Sequence, residues 1–333
     1  MFEKEVSFQS AVFEGAAYFG DAIFKGNATF INVVFNDFAH FGGSTFEHGA
    51  YFGDSVFEGY ADFSGAVFEE RLFVSAEYLA SRSLKGEVNL SRATFLRPEK
   101  VEFHRVDLSK FRFLEADVRE VHFTDVSWNK KKGRGRNQVL DEVSPPYPFL
   151  SRHQLELDHQ LIAQLYRRLR ANYEWNLRYS EAGDFYIGEM EMTRKAERNI
   201  LKKLPLLFYK TISNYGESYY RPLCWMAAIL LLFPLLFMFA GIQPATFDPG
   251  TASSEEISYK LDFSSLESVA PTWEEFGDYY TCFLYSMSVF SFIRDKKYTT
   301  INNWGHTLFV AESMLGPVTL AFFLLALRRR FKR

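Results

Sequence analysis

Cysteine is nearly absent: the 333 residues contain two, Cys224 and Cys282, both in apolar surroundings. A disulfide framework is therefore excluded as the basis of the fold. The seven histidines fall at no metal-ligand spacing, and neither a phosphate-binding glycine loop nor a nucleophile motif is present. No enzyme, metal or cofactor is expected on those grounds. Residues 1–20 lack a charged segment followed by an apolar core, so no secretory signal is expected there. Charge of one sign is also lacking. The net value of −3 points to no class of partner.

Phenylalanine is what the chain has in excess. Its 36 copies bring the aromatic share to 18%, which calls for a repeat or a membrane. Twelve of them form a series: Phe8, Phe13, Phe19, Phe24, Phe30, Phe35, Phe41, Phe46, Phe52, Phe57, Phe63 and Phe68. The spacing alternates five and six. Two positions before each Phe stands Ala, Val or Ser, from Val6 and Ala11 through Ala61 and Ala66. After an irregular patch from Phe73 to Leu84 the register resumes at Leu90 and Phe95. It then runs in fives through Phe103, Leu108, Phe113, Val118, Phe123 and Trp128. An inward pair at i and i−2, recurring every five residues, marks short extended segments joined by tight corners. Stacked coils of such segments bury a Phe ladder beside small residues.

Residues 1–128 resemble the pentapeptide-repeat family. That resemblance implies a right-handed quadrilateral β-helix with four five-residue faces per coil. The alternating six is read as one extra corner residue on alternate faces, giving a 22-residue coil. Some members of the family mimic DNA. The segment from Met1 to Glu70 carries eleven acidic and two basic side chains, but a solenoid surface needs charge for solubility, and the charges balance from Arg71 to Trp128. Nucleic acid is not expected as a partner. A protein partner on the β-helix is.

Residues 129–152, with NKKKGRGRNQ and Pro145-Pro146, read as a basic, flexible linker. Residues 153–203 read as a helical hairpin, with Leu161, Leu165 and Leu169 at helical spacing and a break near Gly183 and Asp184. This hairpin resembles one that follows pentapeptide repeats in bacterial membrane-anchored proteins. Glu189 and Glu191 are assigned to a solvated or packing face. Residues 204–221 read as an amphipathic interfacial collar in contact with lipid.

Two apolar runs follow, 222–242 and 307–327, each about the ~20 residues that span a hydrocarbon core. Lys202, Lys203, Lys210 and Arg221 precede the first, and the basic tail 328–333 follows the second. The positive-inside rule then places both termini in the cytoplasm of a multi-pass inner-membrane protein, with the acidic loop 243–272 outside. Between the spans, residues 273–306 combine an aromatic amphipathic run with a polar turn, and read as a half-length re-entrant helix and loop.

From Tyr220 onward this arrangement resembles the two-transmembrane ion-channel fold, in which four subunits each supply an outer helix, pore helix, filter and inner helix. The resemblance implies an all-α membrane domain and a homotetramer. It places Phe292, Ile293, Arg294, Asp295 and Lys296 at the filter. No glycine stands there, so a potassium-selective carbonyl cage is not expected. Glu312 is expected to brace the pore loop by pairing with Arg294. Gly316, next to Pro317, is expected either to hinge the inner helix or to admit close packing. The competing reading of the whole chain is a non-conducting membrane anchor that displays the solenoid as a scaffold.

Overall fold

The computed structural model describes residues 1–76, 86–131, 135–144, 158–244, 257, 273–291 and 298–331. They form two compact units, Met1–Lys203 and Leu204–Arg333.

The first unit begins with a β-solenoid of about five turns. Its strands are mostly two residues long and pair in parallel with strands of the next coil, forming sheets of six, three, five and four strands. Val6 pairs with Ala28, Ala28 with Ala50 and Ala50 with Leu72, always the same distance along the chain. This constant offset is the coil length that two fives and two sixes demand. Where the spacing becomes five throughout, Phe103 pairs with Phe123, and the coil shortens to four fives.

The two kinds of corner differ in backbone. In four of the five-residue corners of the Phe series the N–H three residues after the inward Phe donates to its carbonyl: Ala11 to Phe8, Ala22 to Phe19, Ser44 to Phe41 and Ala66 to Phe63. The third residue at each five-residue corner of the series has positive φ: Ser10, Asp21, Asn32, Gly43, Asp54 and Gly65, between 52° and 68°. A closed turn with positive φ at that position is type II. Through Gly65 this position holds Ser, Asp, Asn or Gly, which enter the left-handed region at least cost, whereas Arg92 and Glu115 take it in the later coils. The extra residue sits at the other corner, which needs no such conformation.

Inside, the Phe rings form stacks. Phe19, Phe41 and Phe63 lie 4.9 and 4.6 Å apart, and Phe24, Phe46 and Phe68 lie 4.7 and 5.0 Å apart, each pair nearly coplanar in orientation. The spacing is that of the strands themselves. Phe24, Phe30, Phe35, Phe41, Phe46, Phe52, Phe57, Phe63 and Phe68 are buried, while Phe8, Phe13 and Phe19, in the first coil, are partly buried against the same core.

The far end of the solenoid is covered by a helical hairpin, α2 (His159–Trp175) and α3 (Tyr179–Ala196), preceded by the single-turn helix α1 (Leu140–Val143). Asn172 donates to the carbonyls of Val118 and Val121 at 2.9 and 2.7 Å, Arg168 to Ala116 at 2.7 Å and Arg178 to Phe123 at 3.0 Å. Trp128 Nε1 donates to the Tyr173 hydroxyl at 2.8 Å. Backbone acceptors that would have met another coil are thus satisfied by side chains.

Two expectations are corrected here. The hairpin's break lies at 176–178, where Leu177 has φ 58°, and not near Gly183 and Asp184, which sit inside α3. Glycine instead serves contact: a Cβ on Gly188 would fall 2.7 Å from the Tyr166 ring. Asn129–Lys130 and Asn137–Gln138 are not a free linker, because they pair antiparallel with each other, and the Arg136 side chain is buried. Of the two faces expected for Glu189 and Glu191, the structure shows the packing one. Each is 5% exposed and ion-paired, Glu189 to Arg167 and Arg170, Glu191 to Lys131 and Arg136.

The second unit includes most of α4 (Ile200–Ser213), then α5 (Tyr220–Ala240), α6 (Trp273–Phe290) and α7 (Asn303–Phe331). Two of them, α5 and α7, are long and apolar enough to cross a membrane. Only 39% and 22% of their most apolar stretches are buried, so most of that surface faces outward, unlike the core helix of a water-soluble protein. Ile242–Pro244 pairs antiparallel with Tyr298–Thr300, and Asn302 donates to the Ala240 carbonyl at 2.7 Å. This joins the end of α5 to the start of α7. At the opposite end, Phe322 packs on Phe208 and Tyr209, Arg329 meets Tyr215 O and Glu217, and the Arg330 guanidinium lies over Tyr219.

At 18 residues, α6 is about 27 Å long. The half-length helix read from the sequence is too short, because the helix begins at Trp273, ahead of the aromatic run.

Candidate functional site

Polar side chains buried in an apolar bundle mark the place to look for function in the second unit. Glu312 is fully buried on α7, and Ser286, also fully buried, faces it from α6. The Ser286 hydroxyl donates to Glu312 Oε1. Glu312 Oε2 is buried and has no hydrogen-bond partner. Neighbours in the same core are Tyr285, Cys282, Phe233 and Phe237, with the Tyr285 ring 5.0 Å from that of Phe237.

One turn further along both helices, Gly316 meets Phe290. A Cβ on Gly316 would lie 3.0 Å from the Phe290 carbonyl oxygen and 3.1 Å from its ring. Helix α7 runs unbroken through Gly316 and Pro317. Thr319 fills the bonding there, its hydroxyl donating to the carbonyls of Leu315 and Gly316 at 2.9 Å. Gly316 therefore allows two backbones to approach.

The pairs Ser286–Glu312 and Phe290–Gly316 fix a direction. Over its last turn α6 advances alongside α7, away from the end where Asn302 meets Ala240. Gly316 lies well inside α7, roughly 20 Å along the axis from its start at Asn303. Further back, the Tyr279 hydroxyl donates to Leu231 O, near the middle of α5. Residues Phe292, Ile293, Arg294, Asp295 and Lys296 lie outside the described residues. Tyr298, after them, is back beside Pro244.

Sequence reasoning singled out Glu312 but not Ser286, a serine inside an aromatic run with no pattern of its own. It also missed a second buried cluster, in the first unit. Arg136 is paired with Glu142 at 2.7 Å, and donates to the Tyr166 hydroxyl at 3.1 Å. Tyr166 in turn donates to Glu142 at 2.5 Å and accepts from Val139 N–H at 3.1 Å. Burial pushes the Tyr166 phenol well above its ordinary range. This cluster fastens the paired strands Asn129–Lys130 and Asn137–Gln138 to the hairpin, with Arg136 Nε as its one buried atom lacking a hydrogen-bond partner among the described residues. Among the described residues no group of three or more His, Cys, Asp or Glu side chains could hold a metal ion.

Residues 8–56 match the family model for pentapeptide repeats (9 copies). Those residues are pentapeptide repeats. They occupy the coils in which the Phe stacks and type II corners are most regular. An uncharacterized protein of Methanocaldococcus jannaschii is 29% identical over 164 residues, covering 43% of this chain and 35% of the relative. The chain thus spans about a third of the length of that curated relative. No solved structure matches.

Proposed function

We propose that the chain is a subunit of a homo-oligomeric, tetrameric, ion-channel-like membrane protein. Its pentapeptide-repeat solenoid is a cytoplasmic domain for regulation by a protein partner. The observation that carries the reading is the path of the chain between the two spans. The last turn of α6 lies against the middle of α7, and by Tyr298, a short way beyond Ser291, the chain is again at the Ala240 end. A helix that stops halfway and returns over a few residues is a re-entrant element, tolerated at membrane depth where it lines a wet cavity or is buried in protein. In sequence, the filter-like residues Phe292 to Lys296 stand between those two points, outside the described residues. Glu312 braces the re-entrant element from α7 through Ser286.

The basic residues support the topology. Arg221 and Arg328–Arg330 gather at one end of the bundle, as both cytoplasmic ends of a two-span protein should. One subunit's hairpin cannot enclose a pore, so neighbours complete it. The filter segment contains no glycine, and a potassium-selective cage is not part of the proposal.

Particle mass in detergent and current across a planar bilayer test this directly. A four-copy particle giving discrete currents is expected, and Arg294→Ala should shift the reversal potential if that side chain rings the axis. A stable monomer without conductance would instead establish the membrane-anchored scaffold.

A further inference from the structure

We propose that Glu312, Ser286 and the carboxyl-terminal end of α6 form a binding site for a small monovalent metal cation, one within each subunit. The inference rests on the membrane reading of α5 and α7, not on conduction.

Three observations converge. Glu312 is fully buried, and its Oε2 atom has no hydrogen-bond partner. No Lys, Arg or His side chain of the described residues pairs with it. An ionised carboxylate in such surroundings is costly unless a positive charge is supplied. The Ser286 hydroxyl offers a dipole and not a charge.

Next, Phe290 is the last residue of α6, and its carbonyl oxygen faces Gly316 one turn from Glu312. The final carbonyls of a helix lack intrahelical partners and carry its negative partial charge. Two negative features are therefore set side by side in an apolar bundle. The fold has brought them together with no compensating side chain among the described residues.

Finally, the donor set is hard oxygen alone: a carboxylate, a hydroxyl and main-chain carbonyls. Cys282, in the same core, does not join Glu312 in any group of three metal-binding side chains. A single carboxylate with neutral oxygens suits a monovalent cation, as where broken-helix ends coordinate sodium in transporters. A divalent ion would call for more carboxylates.

Dicyclohexylcarbodiimide, which modifies buried carboxyl groups in membranes, reads the site without needing current. The full chain in phospholipid nanodiscs would be treated at fixed pH and ionic strength in sodium, potassium, lithium or choline chloride. The modified residue would be mapped by mass spectrometry. Labelling at Glu312 should slow about tenfold in an alkali cation at ten times its Kd, relative to choline, by simple occupancy. Glu312→Gln should abolish the adduct. Ser286→Ala should keep the adduct and weaken the protection.

Equal labelling in all four salts would overturn the proposal and leave the carboxyl holding only a proton. An unlabelled wild type that becomes reactive in Arg294→Ala would overturn it in favour of an ion pair. A non-conducting protein that still shows cation protection would sink the channel reading alone.

Discussion

Asp141, 4% exposed, accepts from the Phe113 N–H at 3.1 Å, with its carboxyl buried against the last coil. Burial pushes its pKa up to about 6, although the Phe113 N–H and nearby Arg112 oppose the shift. The folded state therefore holds this proton more tightly than the unfolded chain. Its stabilising contribution is complete below about pH 4, the ordinary carboxylate range. It is lost as pH rises through about 6. Thermal unfolding followed at about pH 5 and about pH 8 should show the wild type losing stability at the higher value. Asp141→Asn, which cannot ionise, should narrow that difference, and an unchanged gap would place the pH dependence elsewhere. Among the Phe residues, Phe41 is stacked on both sides and fully buried. Phe41→Ala should cost about 3–5 kcal/mol in chemical denaturation. The partly exposed Phe13 should cost distinctly less.

At the scale of elements, the corners and the cap make separate predictions. Asn32 holds φ 58° at a five-residue corner. Replacing it with Ala should destabilise by about 1 kcal/mol or more, whereas Asn32→Gly should be neutral or slightly stabilising. A matching loss for both variants would show that the Asn side chain, not its backbone, matters. In the cap, Asn172→Ala removes the donor from two buried carbonyls. A cost of about 1–3 kcal/mol is expected, with hydrogen exchange accelerated first at the last coil.

The contrast between these elements explains what could be read in advance. The coil length follows from the spacing of Phe13, Phe19 and Phe24, because a solenoid forces sequence period and spatial period to agree. The cap does not advertise itself. Asn172 and Arg178 look like any polar residues on a helix, and their partners stand some fifty positions earlier. The misplaced hairpin break has a similar cause. Glycine at 183 suggests a turn, but in this tight pairing small residues mark where helices touch. In the apolar bundle of the second unit, Glu312 is conspicuous as a lone acid in an apolar run. Ser286 becomes meaningful only once α6 and α7 are side by side.

For the whole molecule, the two units invite different tests. In the second unit, Gly316→Ala would push a methyl to 3.0 Å from the Phe290 carbonyl. The expected result is a lower melting temperature in detergent, since the end of α6 must shift. An unchanged protein would mean that Phe290 can give way. In the first unit, Ala39 and Ala61 occupy equivalent places one coil apart. Deleting residues 39–60 should leave a folded solenoid shorter by one strand spacing, about 4.8 Å. Small-angle scattering on the isolated fragment 1–203 would measure it. Removing only half a coil would keep every aromatic in step yet turn the cap half a revolution. Length in this domain is thus quantised like the teeth of a rack. A lineage can lengthen or shorten its reach one tooth at a time while leaving the second unit untouched.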